Sequence, residues 1–180
     1  MRFPEWRKAP AEILAMDGHC GLIAAWSVLH YFGKHVSVSE IVSSCRHTKR
    51  YGLFSVNLAA GLKELGLEVS FHSEKDDHVG GFEKRGYARA RRLEIPVRPA
   101  VELSVLLRER RKGRVPIVLY DTASESGHFS PLLGRRGSLL RLTLAPGGTI
   151  PTDQFLSAWS APGILRQCVI VGDSNQGVAP

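Results

Sequence analysis

Apolar residues in this chain follow a helical rhythm early and an alternating one late. The run GLIAAWSVLHYF (21–32) is apolar on every side, which predicts a buried helix ending at Gly33. SVSEIVSSC opens with Ser37 and Glu40 at capping-box spacing and predicts a short second helix. In SVNLAAGLKELG, Val56, Leu58, Ala59, Leu62 and Leu65 form a broad apolar face, and Gly66 is placed to end the helix. LEVSFH then alternates as a strand does. GGFEKRGYARARRL and AVELSVLLRERRKG read as two further helices, separated by the extended EIPVRP. VPIVLY (115–120) reads as a short apolar strand. GHFSPLLG and LLRLTLA read as a hairpin around the turn RRGS. PTDQFLSAW is a short helix that Thr152 could cap, and ILRQCVIVG (164–172) is a closing strand. Helices first and antiparallel strands later predict an α+β fold. No repeat, low-complexity tract or linker divides the chain. One domain is therefore expected over 1–172, with 173–180 a flexible tail.

Composition agrees with a folded domain and narrows its setting. At 180 residues, with 43% hydrophobic and 23% charged residues, the chain can bury a real core. The N-terminal MRFPEWRKAPAEIL has no apolar signal core, and no run approaches the length of a membrane span, so neither a signal peptide nor a spanning helix is expected. The three cysteines, Cys20, Cys45 and Cys168, include no CxxC pair. That pattern argues against a disulfide framework or a structural zinc site and for a reducing, cytoplasmic setting.

The net charge of +7 concentrates in EKRGYARARRLEIPVR (83–98) and RERRKGR (108–114). Such basic helices could meet an acidic partner. Nucleic-acid binding is disfavoured, because no aromatic platform or RNA-binding signature accompanies the charge. His19 with Cys20, and His30 with His35, lack the spacing of a zinc site. His72 and His78 flank SEKDD, which reads as an exposed acidic loop, and HVGGF and APGGT are turns rather than phosphate loops. No metal and no cofactor is expected.

The chemistry centres on MDGHCGLIAAW. Cys20 stands where the first long helix should begin, and unpaired N–H groups and the helix dipole favour a thiolate there. The same N–H groups, those of Cys20 and Gly21 first, can donate to an oxyanion. A nucleophilic cysteine needs a base from elsewhere in the chain. His128 is the best placed, opening a strand just after the Ser/Gly-rich SESG.

DGHCGLIAAWSVLHYFGKHVSVSEI resembles the peptidase C39-like branch of the papain-like cysteine proteases, which carry Cys-Gly, an Ala-rich helix and a Tyr-Phe-Gly-Lys type ending. YGLFSVNLAAGLKELGLEVSF and LLRERRKGRVPIVLYD…GHFSPLLGRRGSLLRLTLAPGG…TDQFLSAW extend the likeness across roughly residues 14 to 171. It implies a papain-like α+β fold, with an N-terminal helical half whose nucleophile helix packs on a C-terminal antiparallel β-sheet. It further implies Cys20 as nucleophile and His128 as general base, acting on a peptide or protein substrate. Members often process leader peptides ending in two glycines and are often fused to ABC transporters. No transporter segment stands in this sequence, so a free-standing role is expected. Two positions depart from the family. Leu14 replaces the oxyanion glutamine six residues before the cysteine, and Ala145, in Ala145-Pro146, replaces the aspartate that orients the histidine.

Asp17 and His19 are near enough in sequence to assist at the cysteine. Asp121, Asp153 and Gln154 could approach His128 from the C-terminal half. The expectation is a cysteine peptidase or amidase. The alternatives are a catalytically degenerate domain that binds a peptide or protein partner, and an acyltransferase on the same fold.

Overall fold

A computed structural model describes residues 3–123 and 127–173. After a 3-10 turn at Trp6–Lys8, the helices are α1 (Ala11–Leu14), α2 (Cys20–Tyr31), α3 (Val38–Cys45), α4 (Ser55–Glu64), α5 (Gly81–Arg92), α6 (Leu103–Arg111) and α7 (Thr152–Trp159). The strands are β1 (Leu67–Ser73), β2 (Val97–Pro99), β3 (Val115–Tyr120), β4 (His128–Arg136), β5 (Leu139–Leu142), β6 (Thr149–Pro151) and β7 (Cys168–Asp173). They form one sheet in the order β2-β1-β7-β3-β4-β5-β6, in which only the β1–β2 pair is parallel.

The sheet separates two apolar layers, and its central strands show why their sequences are almost continuously apolar. Val115 and Ile117 of β3, with Val169 and Val171 of β7, face a core shared with α2, α3, α4 and α5. Val118 and Tyr120, with Cys168 and Ile170, face the opposite core, built with α6 and α7. Because α2 is enclosed by α3, α4 and β4, it is apolar on all sides, as its sequence predicts.

Local signals account for most boundaries. Ser37 and Glu40 form the expected capping box at α3. Gly33 and Gly66 turn the chain after α2 and α4 with φ of 72° and 86°. Some expectations are corrected. Thr152 is the first residue of α7 rather than its cap. Pro151 occupies the cap position, and the Thr152 hydroxyl donates to Ser138 O instead. The closing strand starts at Cys168, not at 164, because residues 161–167 wind through turns with positive φ at Leu165 and Arg166. It ends at Asp173, one residue into the stretch expected to be a tail, and 174–180 lie outside the described residues.

Basic residues 83–98 are not one helix. α5 ends at Arg92, and Val97 and Arg98 belong to β2. Nor is all of that charge free on the surface. Arg89 is buried and paired with Glu64, Arg110 lies over the Tyr31 ring, and the exposed Lys112 and Arg114 are paired with Glu109. Among the described residues, no helix is long and apolar enough to cross a membrane.

Candidate active site

Cys20 is the first residue of α2, half-buried, with His19 at the cap position and no side chain capping the helix. The first intrahelical bond runs from Ile23 N–H to His19 O at 2.9 Å. The N–H groups of Cys20, Gly21 and Leu22 therefore have no carbonyl four residues back within the helix. Cys20 lines a cavity of about 540 Å³. One wall is the loop carrying Lys49, Arg50, Tyr51 and Leu53, and the floor includes Leu119 and Phe129.

The other two thiols are of a different kind. Cys45 and Cys168 are buried, and burial pushes both thiols up to about 12. Cys20 alone among the three opens onto a cleft.

His128 is the first residue of β4, paired with Tyr120 of β3. The two rings meet edge to face at 5.5 Å, which puts the imidazole beside the core of α6 and α7. Phe129, the next residue, faces the α2 side. Strand alternation thus divides the neighbourhood. Gly127 and Phe129, on either side of His128, line the Cys20 cavity, whereas His128 lines an adjacent cavity of about 790 Å³ with Tyr120, Asp121 and Gln154. The Ser/Gly-rich segment before His128 includes residues 124–126, which lie outside the described residues.

The supporting residues sort as follows. Asp17 is exposed at the mouth of the Cys20 cavity, and its carbonyl accepts a hydrogen bond from His47 Nε2–H at 3.0 Å. His19 does not line that cavity; its Nδ1–H donates to Met16 O at 2.7 Å, fixing the approach to α2. Gly21 is buried where α2 meets the sheet. Gln154 and Asp121 share the His128 cavity, and the Asp121 N–H donates to Ala158 O. Asp153 is exposed in the first turn of α7 and lines neither cavity, so there it acts on the helix dipole. Leu14 ends α1 and packs against the core, and Ala145 is buried with the α6–α7 core. Neither side chain can donate or accept a hydrogen bond.

Sequence reasoning missed His47, which anchors the loop before Cys20. It also missed Gln167, which lines the Cys20 cavity from the segment before β7. Among the described residues, no group of three or more His, Cys, Asp or Glu side chains is placed to hold a metal ion.

No protein-family model matches the sequence, and no curated protein matches it. Solved structures do. The peptidase domain of Streptococcus ComA, a bi-functional ABC transporter involved in a quorum-sensing pathway, is similar with a TM-score of 0.57 at 13% identity, covering 86% of this chain and 90% of that one. A double glycine motif protease from an AMS/PCAT transporter, solved in complex with the leader peptide, is similar with a TM-score of 0.56 at 17% identity, covering 89% and 88%. At these identities the likeness establishes the fold alone, and that fold is the papain-like α+β arrangement of C39-type peptidase domains.

Proposed function

We propose that this protein is a cysteine peptidase or amidase in which Cys20 attacks a peptide carbonyl and His128 transfers the proton. The observation that carries this reading is the placement of Cys20. It is the one thiol on a cleft, at the uncapped start of a helix, in a fold shared with peptidase domains. Domain boundaries of 1–172 belong to the same reading.

The chemistry follows from the local groups. His128 takes the proton from the Cys20 thiol. The thiolate adds to the carbonyl carbon, and the carbonyl oxygen takes the negative charge, held by the N–H groups of Cys20 and Gly21. His128 then gives a proton to the leaving amine, and water, deprotonated by the same imidazole, releases the acyl group. His128 borders the Cys20 cavity through its neighbours Gly127 and Phe129, and proton transfer requires its imidazole to come within hydrogen-bond reach of the thiol. Asp121 and Gln154 are the groups available to orient it. The substrate class is a peptide, as for the neighbour bound to its leader peptide.

The second reading is a peptide-binding domain without catalysis. Leu14 and Ala145 favour it, since both positions that carry polar groups in the family are apolar and packed. The pH dependence of iodoacetamide alkylation separates the two. The peptidase reading expects Cys20 to alkylate faster than a model thiol, and cleavage to be lost in Cys20→Ala. It also expects that alkylation to slow in His128→Ala. An ordinary Cys20 indifferent to His128 leaves the binding reading in possession.

A further inference from the structure

Gln167 is 6% exposed, yet it lines the Cys20 cavity. Its main chain is fully engaged. The N–H donates to Ile164 O at 3.2 Å, and the carbonyl accepts both Leu119 N–H and Trp159 Nε1–H at 3.1 Å. Its carboxamide makes no hydrogen bond among the described residues. The fold therefore uses the backbone at this position and leaves the side chain's donor and acceptor unspent. Its amide atoms are not among the sealed, unpartnered ones, so what is left of its exposed surface opens on the cleft, where donor and acceptor stay available to a ligand.

Strand register locates that use. The Leu119–Gln167 hydrogen bond extends the β3–β7 ladder one pair beyond Val118 and Cys168, and Leu119 itself pairs with Phe129 of β4. Residues opposite one another share a face, so Gln167, Leu119 and Phe129 form a row across the cavity floor. Two strand spacings put Gln167 about 9–10 Å from Phe129. Gly21, next to Cys20, packs on that Phe129 ring. An extended chain crossing this floor advances about 3.3 Å per residue, which is about three residues from the Phe129 end of the row, against which the first turn of α2 packs, to Gln167.

We propose that the Gln167 carboxamide is a substrate-binding group that holds one main-chain peptide unit of an extended peptide, about three residues from the bond presented to Cys20. A carboxamide offers the same N–H and C=O pair as a peptide group and can satisfy both at once. It is neutral and set among Leu119, Phe129 and Ile164, whereas the charged groups of the cleft, Asp17, Lys49, Arg50, Asp76 and Glu83, come from other segments. It reads the main chain rather than a charge or a side chain. The inference rests on the cleft being a peptide site and does not need Cys20 to react.

The test uses the full chain as Cys20→Ala, probed with a positional-scanning library of fluorescein-labelled decapeptides. Affinity for the best peptide falls at least tenfold when Gln167→Leu is added. Replacing one backbone amide of that peptide by an ester causes a similar loss, and causes none beyond it in the Gln167→Leu protein. The ester series needs no change at Gln167, so it decides even if that variant folds poorly. Gln167→Leu also melts about 2–4 °C higher, because the carboxamide has no structural partner. Unchanged affinity, no peptide bound at all, or a lower melting temperature overturns the proposal. Cleavage of the same peptide by the unsubstituted protein is scored separately. Binding without cleavage refutes the peptidase reading alone, and cleavage with KM unaltered by Gln167→Leu refutes this one alone.

Discussion

Gly21 lies directly against Phe129. A Cβ at residue 21 would come within 3.1 Å of the Phe129 ring and 2.6 Å of Leu53 Cδ2. This approach sets the first turn of α2, and with it Cys20, on the strand that His128 begins. The contact at risk is the movable end of Leu53, so Gly21→Ala is tolerated in part. Overpacking costs about 1–3 kcal/mol, and helix propensity returns about 1 kcal/mol. The expected outcome is a net loss of about 1 kcal/mol in urea unfolding with a slower Cys20 alkylation rate. An unaltered rate would show that this contact does not position the thiol. Gly61→Ala is the contrast. Its Cβ would meet Cys45 backbone at 2.8 Å, which cannot swing aside, and about 3 kcal/mol is lost.

Residues differ sharply in how far their positions were legible in sequence. The order of long elements from 21 to 120 follows from apolar periodicity and from Ser37, Gly33 and Gly66, all of which act through near neighbours. The four-residue α1 and three-residue β6 are too short to carry a period, and Pro151 displaces Thr152 as the cap by sequence order alone. At the site, Cys20 was legible because a helix start is a local event. Gln167 was not, because nothing near it in sequence marks it; it reaches the cleft through the pairing of β7 with β3. The placement of Phe129 and His128 on opposite faces of β4 is a register effect too, and it sets His128 in the cavity beside the one Cys20 lines.

Arg89 joins three helices. From α5 its Nε–H donates to Glu64 of α4 at 2.9 Å, Nη2 donates to the second Glu64 oxygen, and Nη2 also donates to Ser44 O of α3 at 2.6 Å. The guanidinium is buried while Glu64 is 37% exposed, so water already screens one partner. Arg89→Met leaves an acid that can hydrate. It is expected to lose about 2–3 kcal/mol, below the 3–5 kcal/mol typical of a fully buried pair broken on one side. Glu64→Ala, which leaves the buried cation with Ser44 O as its remaining acceptor, should cost more. Guanidinium denaturation of both variants checks the order, and the reverse order would mean that Glu64 is the less hydrated partner.

His72 makes the β1–β2 edge sensitive to acid. Its Nδ1–H donates to Pro99 O at 3.2 Å, and Nε2 accepts from the Ser70 hydroxyl at 3.1 Å, an arrangement of the neutral ring. Burial lowers its pKa from 6.5, with Arg98 acting in the same direction and the Pro99 bond and Glu109 opposing. The unfolded chain therefore takes up this proton first, near pH 6.5. The stability contributed is complete above that value and is lost as pH falls from 6.5 through the lower folded pKa. His72→Gln should flatten the dependence of the urea midpoint between pH 7.5 and 5.5, and an equally steep curve would assign the dependence to other groups.

The three thiols should separate cleanly by rate. Cys45 and Cys168 are held at about 12 by burial, against 9.0 for a free thiol. At pH 8 a shift of that size leaves roughly a thousandfold less thiolate, since each pKa unit is a tenfold change in the ionised fraction. Neither sulfur is open to reagent, which slows them further. Cys20 instead starts a helix and opens onto the cleft, where reagent can reach it. Native protein treated with iodoacetamide at pH 8 should gain one carbamidomethyl group quickly, located at Cys20 by mass spectrometry, and the other two only on unfolding in urea. Cys20→Ala should abolish the fast phase and leave the urea-dependent one intact. Gly61→Ala should bring Cys45 into the reactive set without unfolding, because the helix contact that seals its sulfur is the one that substitution forces apart. If Cys45 instead reacts in the native, unsubstituted protein as fast as Cys20, then exposure by local opening, and not the helix terminus, controls thiol chemistry in this fold.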